Sequence, residues 1–196
     1  MSRTLNTVTT LVLVTAYVFL GTVILSAQFA AAKKALKTPA CGPRVLVEYT
    51  DDDPDYFIIK NRSATGWSLE AIAFDLSPSS GNVVFDPESG GAGVGGAAAL
   101  VPDETTDIRL VGIVPAQDGG RTLSLRFGNF TDGRNYTFHI DLDSAPSGNG
   151  RTWVLPSDMA GTRILATFRG PTGRSDKVDA VFDANAEADT GAGGCV

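Results

Sequence analysis

Short strand-like runs separated by turn residues fill residues 56–86 and constrain the fold more than any other part of the chain. Each run is rich in β-branched, aromatic or other apolar residues, and the segments between them are rich in Asn, Ser, Pro and Gly. The runs are residues 56–60, 67–76 and 83–85. Short strands bounded by such turns are typical of antiparallel β-sandwiches and barrels.

The longest of these runs, 67–76, has apolar residues at both parities. Trp67 and Leu69 fall on one face of a regular strand, whereas Ile72 and Phe74 fall on the other. A strand that covers one core cannot bury both sets unless its register changes, because successive side chains point to opposite faces. The pattern therefore predicts a β-bulge or bend between Glu70 and Ile72.

Further alternating runs follow the same logic along the chain. They cover residues 44–50, 107–114, 121–127, 135–143, 162–169 and 177–183, with a short turn at 157–161. The sequence predicts an all-β fold, an antiparallel β-sandwich of about 8–10 strands over 44–183. A linker at 33–43 precedes this domain, and a flexible, Gly-rich tail at 184–196 follows it.

The order of several short motifs in this region resembles a known family. The residues concerned are Ile59, Asn61, Ser63, Trp67, Leu69, Phe74, Asp75, Leu76, Ser77, Gly81, Val84, Phe85 and Asp86. This pattern is similar to the core domain of marine sponge aggregation factors and of bacterial exported proteins that share it. In the second half, a strand ending in alternating Asp before a Ser-Asp-x-x-Gly turn extends the resemblance. It implies an extracellular adhesive or structural β-domain without catalytic residues.

The N-terminal segment 1–32 predicts a signal peptide or a membrane anchor. Its apolar run extends from Val8 to Ala32, long enough to span a bilayer. Residues 30–32 offer an A-x-A cleavage site, which favours a cleaved secretory signal. An uncleaved anchor with the domain outside is the second interpretation. Lys33, Lys34 and Lys37 follow the run and favour the third, a domain held inside.

The two cysteines, Cys41 and Cys195, bracket the predicted domain. In an oxidising compartment, a disulfide between them closes nearly the whole domain into one loop. A disulfide between two copies and a pair of free thiols are the alternatives that the spacing leaves open.

Charge and composition argue against several functions. The net charge of −6 is unfavourable for nucleic-acid binding, which requires a basic face. The chain has one histidine, His139, in a strand-like run, and no G-x-S-x-G motif, so we predict no enzyme activity. One histidine and two distant cysteines are too few ligands for a structural zinc site.

We predict no cofactor, and calcium is the one alternative that the residues offer. Asp141 and Asp143 are two residues apart in a predicted strand and therefore share a face. Asp158 and the acidic turn 51–53 offer further oxygen ligands of the kind calcium prefers. Adhesion by the resembled sponge proteins depends on calcium. The alternative is an acidic face in contact with solvent.

Three Asn-x-Ser/Thr sequons, at Asn61, Asn129 and Asn135, predict N-glycosylation sites in a host that modifies exported Asn. The alternative is that these residues serve turns. The aromatic residues predicted to form the core are Trp67, Trp153, Phe57, Phe74, Phe85, Phe127 and Phe138, and an exposed aromatic platform for sugars is the alternative.

Together these features predict a secreted or cell-surface, non-catalytic protein of adhesion or extracellular matrix. It would act by protein–protein or protein–glycan contact, with a homo-oligomer as one form. A carbohydrate-binding module, a membrane-anchored assembly subunit and a hydrolase with an unfamiliar site are the alternatives.

Overall fold

The computed structural model describes residues 42–90, 96–103, 108–145, 151 and 153–191. All of these belong to the second of the two units into which the chain divides, 41–196. The predicted signal or anchor at 1–32, most of the linker, and both Cys41 and Cys195 lie outside the described residues. Among the described residues there is no helix of the length and apolarity needed to cross a membrane.

Two five-stranded antiparallel sheets dominate the fold, which confirms the predicted all-β sandwich. The described strands are β1 (Val45–Thr50), β2 (Tyr56–Asn61), β3 (Ser68–Asp75), β4 (Val83–Phe85), β5 (Val101–Pro102), β6 (Arg109–Val114), β7 (Thr122–Thr131), β8 (Asn135–His139), β9 (Leu142–Ser144), β10 (Arg163–Arg169), β11 (Ser175–Val181) and β12 (Glu187–Asp189). Sheet A has the order β12-β1-β2-β8-β5, sheet B has β11-β10-β3-β7-β6, and β4 pairs with β9 as a separate ribbon. A 3₁₀ turn, Pro156–Met159, lies where the sequence predicts a short turn.

The core is built from the alternate residues that each strand turns inward. Val45, Val47 and Tyr49 of β1 are buried while their neighbours are more exposed, as the alternation predicts. At the centre, the ring of Phe57 stacks on that of Phe138, with centroids 5.0 Å apart and an interplanar angle of 5°. Aromatic side chains bury large apolar areas, so this stacked pair contributes strongly to the stability of the core.

The predicted bulge in β3 is confirmed. The register between β3 and β7 shifts between Leu69 and Ala71. This shift lets Leu69 and Ile72, which have opposite parities, both point into the core, and neither is more than 1% exposed. The bulge thus resolves the conflict between the two apolar sets of this strand.

The run 135–143, predicted as one strand, is two strands with different partners. β8 pairs with β2, whereas β9 pairs with β4. Between them, the N–H of Ile140 donates to the carbonyl of Asp55 and the N–H of Asp141 donates to the carbonyl of Ala98, both at 3.1 Å. These two bonds take the place of the β2–β8 ladder at this point, and the chain passes from sheet A to the β4–β9 ribbon. The prediction of a continuous strand was wrong because apolar alternation continues across the break.

The sandwich also extends past the predicted boundary at 183. Instead of belonging to a flexible tail, residues 187–189 form β12 against β1. The Asp189 carboxylate accepts hydrogen bonds from the guanidinium of Arg44, and the Thr190 hydroxyl accepts one from the N–H of Val45. These contacts hold a segment whose composition resembles that of a mobile tail.

Candidate functional site

Three carboxylates meet beside the β4–β9 ribbon. Asp86 follows β4, Asp143 lies within β9, and Asp141 occupies the link between β8 and β9. One oxygen of each lies within 4.8 Å of the corresponding oxygens of the other two. The N–H of Asp86 donates to the carbonyl of Asp141 at 2.9 Å, which fixes the two backbones together. Asp86 and Asp143 are only 3% and 0% exposed, so two of the three charges lie in the interior.

Burial and mutual repulsion dominate the electrostatics of this cluster. Desolvation, followed by the neighbouring carboxyls of Asp118 and Asp143, raises the pKa of Asp86 to about 7. Desolvation, followed by the charges of Asp143 and Asp53, raises the pKa of Asp141 to about 6. Acidic groups so placed favour a proton or a bound cation between them, because either one offsets the repulsion.

The donor set is composed of oxygen alone, which suits a hard cation such as Ca²⁺. The structure brings together Asp141 and Asp143, as predicted, and adds Asp86. It places the third predicted ligand, Asp158, elsewhere. The Asp158 carboxylate accepts hydrogen bonds from the Arg151 guanidinium at 2.8 Å and from the N–H of Leu155 at 3.0 Å, so it anchors the 3₁₀ turn. The proposed ligand set therefore contains Asp86 in place of Asp158.

The pairing of β4 with β9 explains how Asp86 reaches the cluster. Val84 lies opposite Asp143 in this ribbon, which sets Asp86 beside the chain that carries the other two carboxylates. Sequence reasoning missed Asp86 because it is 55 positions or more from its partners and β4 is too short to reveal its partner. The one local signal for Asp86 was its position directly after the apolar run 83–85, at the end of a predicted strand.

An acidic pocket of about 350 Å³ adjoins this cluster and shares Asp141 with it. Its wall includes the indole of Trp153. The full lining is Asp51, Asp52, Asp53, Asp55, Gly96, Asp141 and Trp153. We predicted Trp153 as a core residue, but its side chain is 50% exposed, because it lies in the irregular segment before the 3₁₀ turn rather than on a strand facing the core.

The inner wall of the pocket contains a short hydrogen-bonded chain. The Tyr49 hydroxyl lies 2.5 Å from Asp55 Oδ1 and 2.6 Å from the Val154 carbonyl oxygen, while the N–H of Leu142 donates to Asp55 Oδ2 at 2.8 Å. One hydroxyl proton cannot serve two acceptors. A protonated Asp55 resolves this, since it donates to Tyr49, which then donates to Val154. Desolvation first raises the pKa of Asp55 to about 7, which agrees with that arrangement.

The three asparagines predicted as glycosylation sites do not line the acidic pocket. The three sequon residues differ in position. Asn61 is fully buried and its side-chain nitrogen donates to the Phe130 carbonyl at 2.9 Å, so a glycan on that nitrogen is incompatible with the folded position. Asn129 has a left-handed φ of 59° and accepts a hydrogen bond from the N–H of Arg109. Asn135 is exposed at the start of β8.

A second, larger hollow of about 710 Å³ lies along β3, β7, β10 and β11 of sheet B. It is lined by both apolar and charged side chains, among them Leu165, Val181, Arg163 and Asp179. The cluster of three carboxylates shares Asp141 with the acidic pocket and none of its members lines this hollow, so we place the candidate site at the acidic pocket.

Comparison with known proteins gives little guidance. No known protein family matches this chain, and no curated protein matches it at a significant level. One solved structure, the archaeal flagellum of Methanospirillum hungatei strain JF1, aligns over 93% of this chain and 96% of its own, at 13% identity. The TM-score is 0.22, too low for the likeness to bear on fold or function.

Proposed function

We propose that this chain is an exported, non-catalytic protein of adhesion or extracellular matrix that acts by contact with protein or glycan partners. The observation that carries the proposal is Trp153, half-exposed at the wall of an acidic pocket. A large indole left in water gains free energy when a partner covers it. Sugar rings and cationic side chains both suit an aromatic face beside carboxylates.

The sequence supports the location. The apolar segment 1–32 favours export, and the motifs of 56–86 resemble those of an extracellular adhesive domain. Intact mass of the protein from its native host tests this: loss of the first 32 residues, at the predicted A-x-A site, supports a secreted form. A full-length mass in the membrane fraction supports the membrane-anchored assembly subunit instead.

The surroundings of His139 support a non-catalytic role. Its ring centroid lies 4.6 Å from that of Tyr56, and its Nδ1 lies 3.2 Å from the Pro54 carbonyl oxygen. These contacts give the histidine a packing role at the end of β8. A hydrolytic triad instead requires the histidine to contact a nucleophile and an orienting acid.

Protein–protein contact is favoured by the edge strand β6. Of the described strands at the edges of the two five-stranded sheets, the others carry charges (β11, β12) or are short with a proline (β5), which are devices that prevent strand addition. β6 exposes Val111, Ile113 and Val114 by 47%, 42% and 66% and has one charged residue, Arg109. Such an edge is suited to pairing with another strand.

We expect Val114→Lys to lower the association state of the protein. A lysine on β6 places a charge at the edge that a second strand must approach. Val181→Lys is the matched control, because Val181 is also exposed but lies on the charged edge strand β11. Sedimentation over a range of concentrations measures the effect. Equal behaviour of both variants and the unmodified protein would exclude β6 as the contact.

A carbohydrate-binding module is the second candidate, and Trp153 favours it directly. We expect Trp153→Ala to reduce binding to glycans immobilised on an array by about fivefold or more, since stacking on an aromatic face contributes about 1 kcal/mol or more. Leu155→Ala is the control, because Leu155 is 40% exposed in the same segment but does not line the pocket. If neither the protein nor its variants bind any glycan while a basic peptide binds in a Trp153-dependent way, the partner is a protein.

A further inference from the structure

We propose that Asp86, Asp141 and Asp143 form a calcium site that controls the adjoining pocket; the control of the pocket rests on the function proposed above. The three ligand oxygens lie within 4.8 Å of one another. Two Ca–O bonds of about 2.3–2.6 Å each span about 4.6–5.2 Å, so a single calcium ion can contact all three.

A second observation points to a ligand at this place. Asp86 Oδ1 is buried and receives no hydrogen bond from any residue that the structure describes, although buried polar atoms are nearly always satisfied. The residue is 97% buried, and the carboxyls of Asp118 and Asp143 interact with its own. A carboxylate oxygen facing other carboxylates requires a cation or a proton. A calcium ion satisfies the oxygen and neutralises the cluster at neutral pH.

The elements around the cluster are arranged to hold such an ion. Asp143 is fixed in β9, and Asp86 is tied to Asp141 through their backbones. The Asp118 carboxyl, next to Asp86, is a candidate fourth ligand. Calcium accepts six to eight oxygens in irregular geometry, so waters or carbonyl oxygens complete its shell. Magnesium, in contrast, requires near-ideal octahedral geometry, which an irregular link between two strands supplies less readily.

Asp141 connects the ion to the pocket, since it belongs to both the cluster and the lining that includes Trp153. Calcium on Asp141 lowers the negative charge of the pocket floor and fixes the link between β8 and β9. An ion at that position also offers its open coordination sites to hydroxyl groups of a ligand in the pocket. We therefore expect partner binding through Trp153 to require calcium.

Calcium titration of the chelator-treated full chain tests the site without any partner. We expect Ca²⁺ to bind with one-to-one stoichiometry by calorimetry and to raise the unfolding temperature. Asp86→Asn is expected to weaken calcium binding by tenfold or more, and it removes a buried charge, so folding is retained. Asp143→Asn is the second variant, and Asp179→Asn, on the exposed part of β11, is the control that binds like the unmodified protein. Circular dichroism verifies the fold of each.

The outcomes separate the two proposals. Equal calcium affinity in Asp86→Asn and Asp179→Asn, or no calcium binding at all, would overturn the site. Saturation by Mg²⁺ at the same concentration as Ca²⁺ would overturn the assignment to calcium. Calcium binding that leaves glycan and peptide binding unchanged would retain the site and overturn its control of the pocket. Trp153→Ala is expected to lose partner binding and to keep the calcium affinity of the unmodified protein, because Trp153 lines the pocket but is not a ligand.

Discussion

Replacing Asp55 with Asn should make the protein more stable at pH 8 and nearly unchanged at pH 4. The folded-state pKa of Asp55 is about 7, raised first by burial, whereas the unfolded carboxyl titrates near 4. Between these values the folded state binds more protons than the unfolded state, so stability falls as pH rises from about 4 to about 7. A difference of about three pKa units corresponds to at most about 4 kcal/mol. Asn carries no charge and avoids that loss.

The geometry makes Asn a close mimic of the protonated acid. Its side-chain nitrogen can donate to the Tyr49 hydroxyl, and its oxygen can accept the N–H of Leu142, as protonated Asp55 does. The neighbouring charges of Asp51 and Asp141 also raise the pKa of Asp55, so the neutral side chain relieves repulsion.

Urea unfolding of the unmodified protein and Asp55→Asn, from pH 4 to pH 8 with chelator present, measures the difference. We expect the gap in unfolding free energy to widen in favour of the variant as pH rises. Asp179→Asn removes a carboxylate from an exposed strand and serves as the control. Parallel pH profiles for the unmodified protein and Asp55→Asn would show that Asp55 is ionised in the folded state throughout, contrary to the hydrogen-bonded chain.

Local patterns predicted the sandwich because they reflect burial on one face. The alternation of Val45, Val47 and Tyr49 is visible in the sequence and is the alternation that the core requires. The conflict between Leu69 and Ile72 was likewise visible, and a bulge is the one local solution to it. In both cases the information lies within a few residues of the structure it determines.

The candidate site was only partly predictable, because it depends on contacts between distant segments. Asp141 and Asp143 were found from their spacing, but Asp86 joins them through a three-residue ribbon that no local pattern reveals. Asp158 was predicted as a ligand from its residue type, yet its partner is Arg151. Trp153 was assigned to the core from its hydrophobicity, which does not distinguish a core residue from a binding residue.

A single methyl group at Gly161 is expected to destabilise the protein strongly. Gly161 has a φ of +94°, and a Cβ atom there would lie 2.4 Å from the carbonyl oxygen of Pro78. An L-residue at such a φ costs about 1–2 kcal/mol, and relieving an overlap in a packed region costs a further 1–3 kcal/mol. We expect Gly161→Ala to lower the free energy of unfolding by about 2–5 kcal/mol in total.

The Pro78 carbonyl cannot easily move away, because its turn is fixed on both sides. Three backbone hydrogen bonds to carbonyl oxygens hold it. The N–H of Ser80 donates to the carbonyl of Ala160 at 2.8 Å, and the N–H of Gly81 donates to the backbone carbonyl of Asp158 at 2.9 Å. The N–H of Gly161 donates to the carbonyl of Phe182 at 3.0 Å. Any shift that makes room for the methyl group must break or lengthen these bonds.

A second glycine separates the two contributions to this loss. Gly173 has a similar φ of +80°, but a Cβ atom there would meet nothing within 4 Å. Gly173→Ala therefore carries the backbone strain without the overlap, and we expect it to cost only about 1–2 kcal/mol. Thermal and urea unfolding of both variants give the comparison. Equal losses would mean that the turn at Pro78 yields without cost. A larger loss at Gly161 means that the turn leading into β4, and so to Asp86, is rigid.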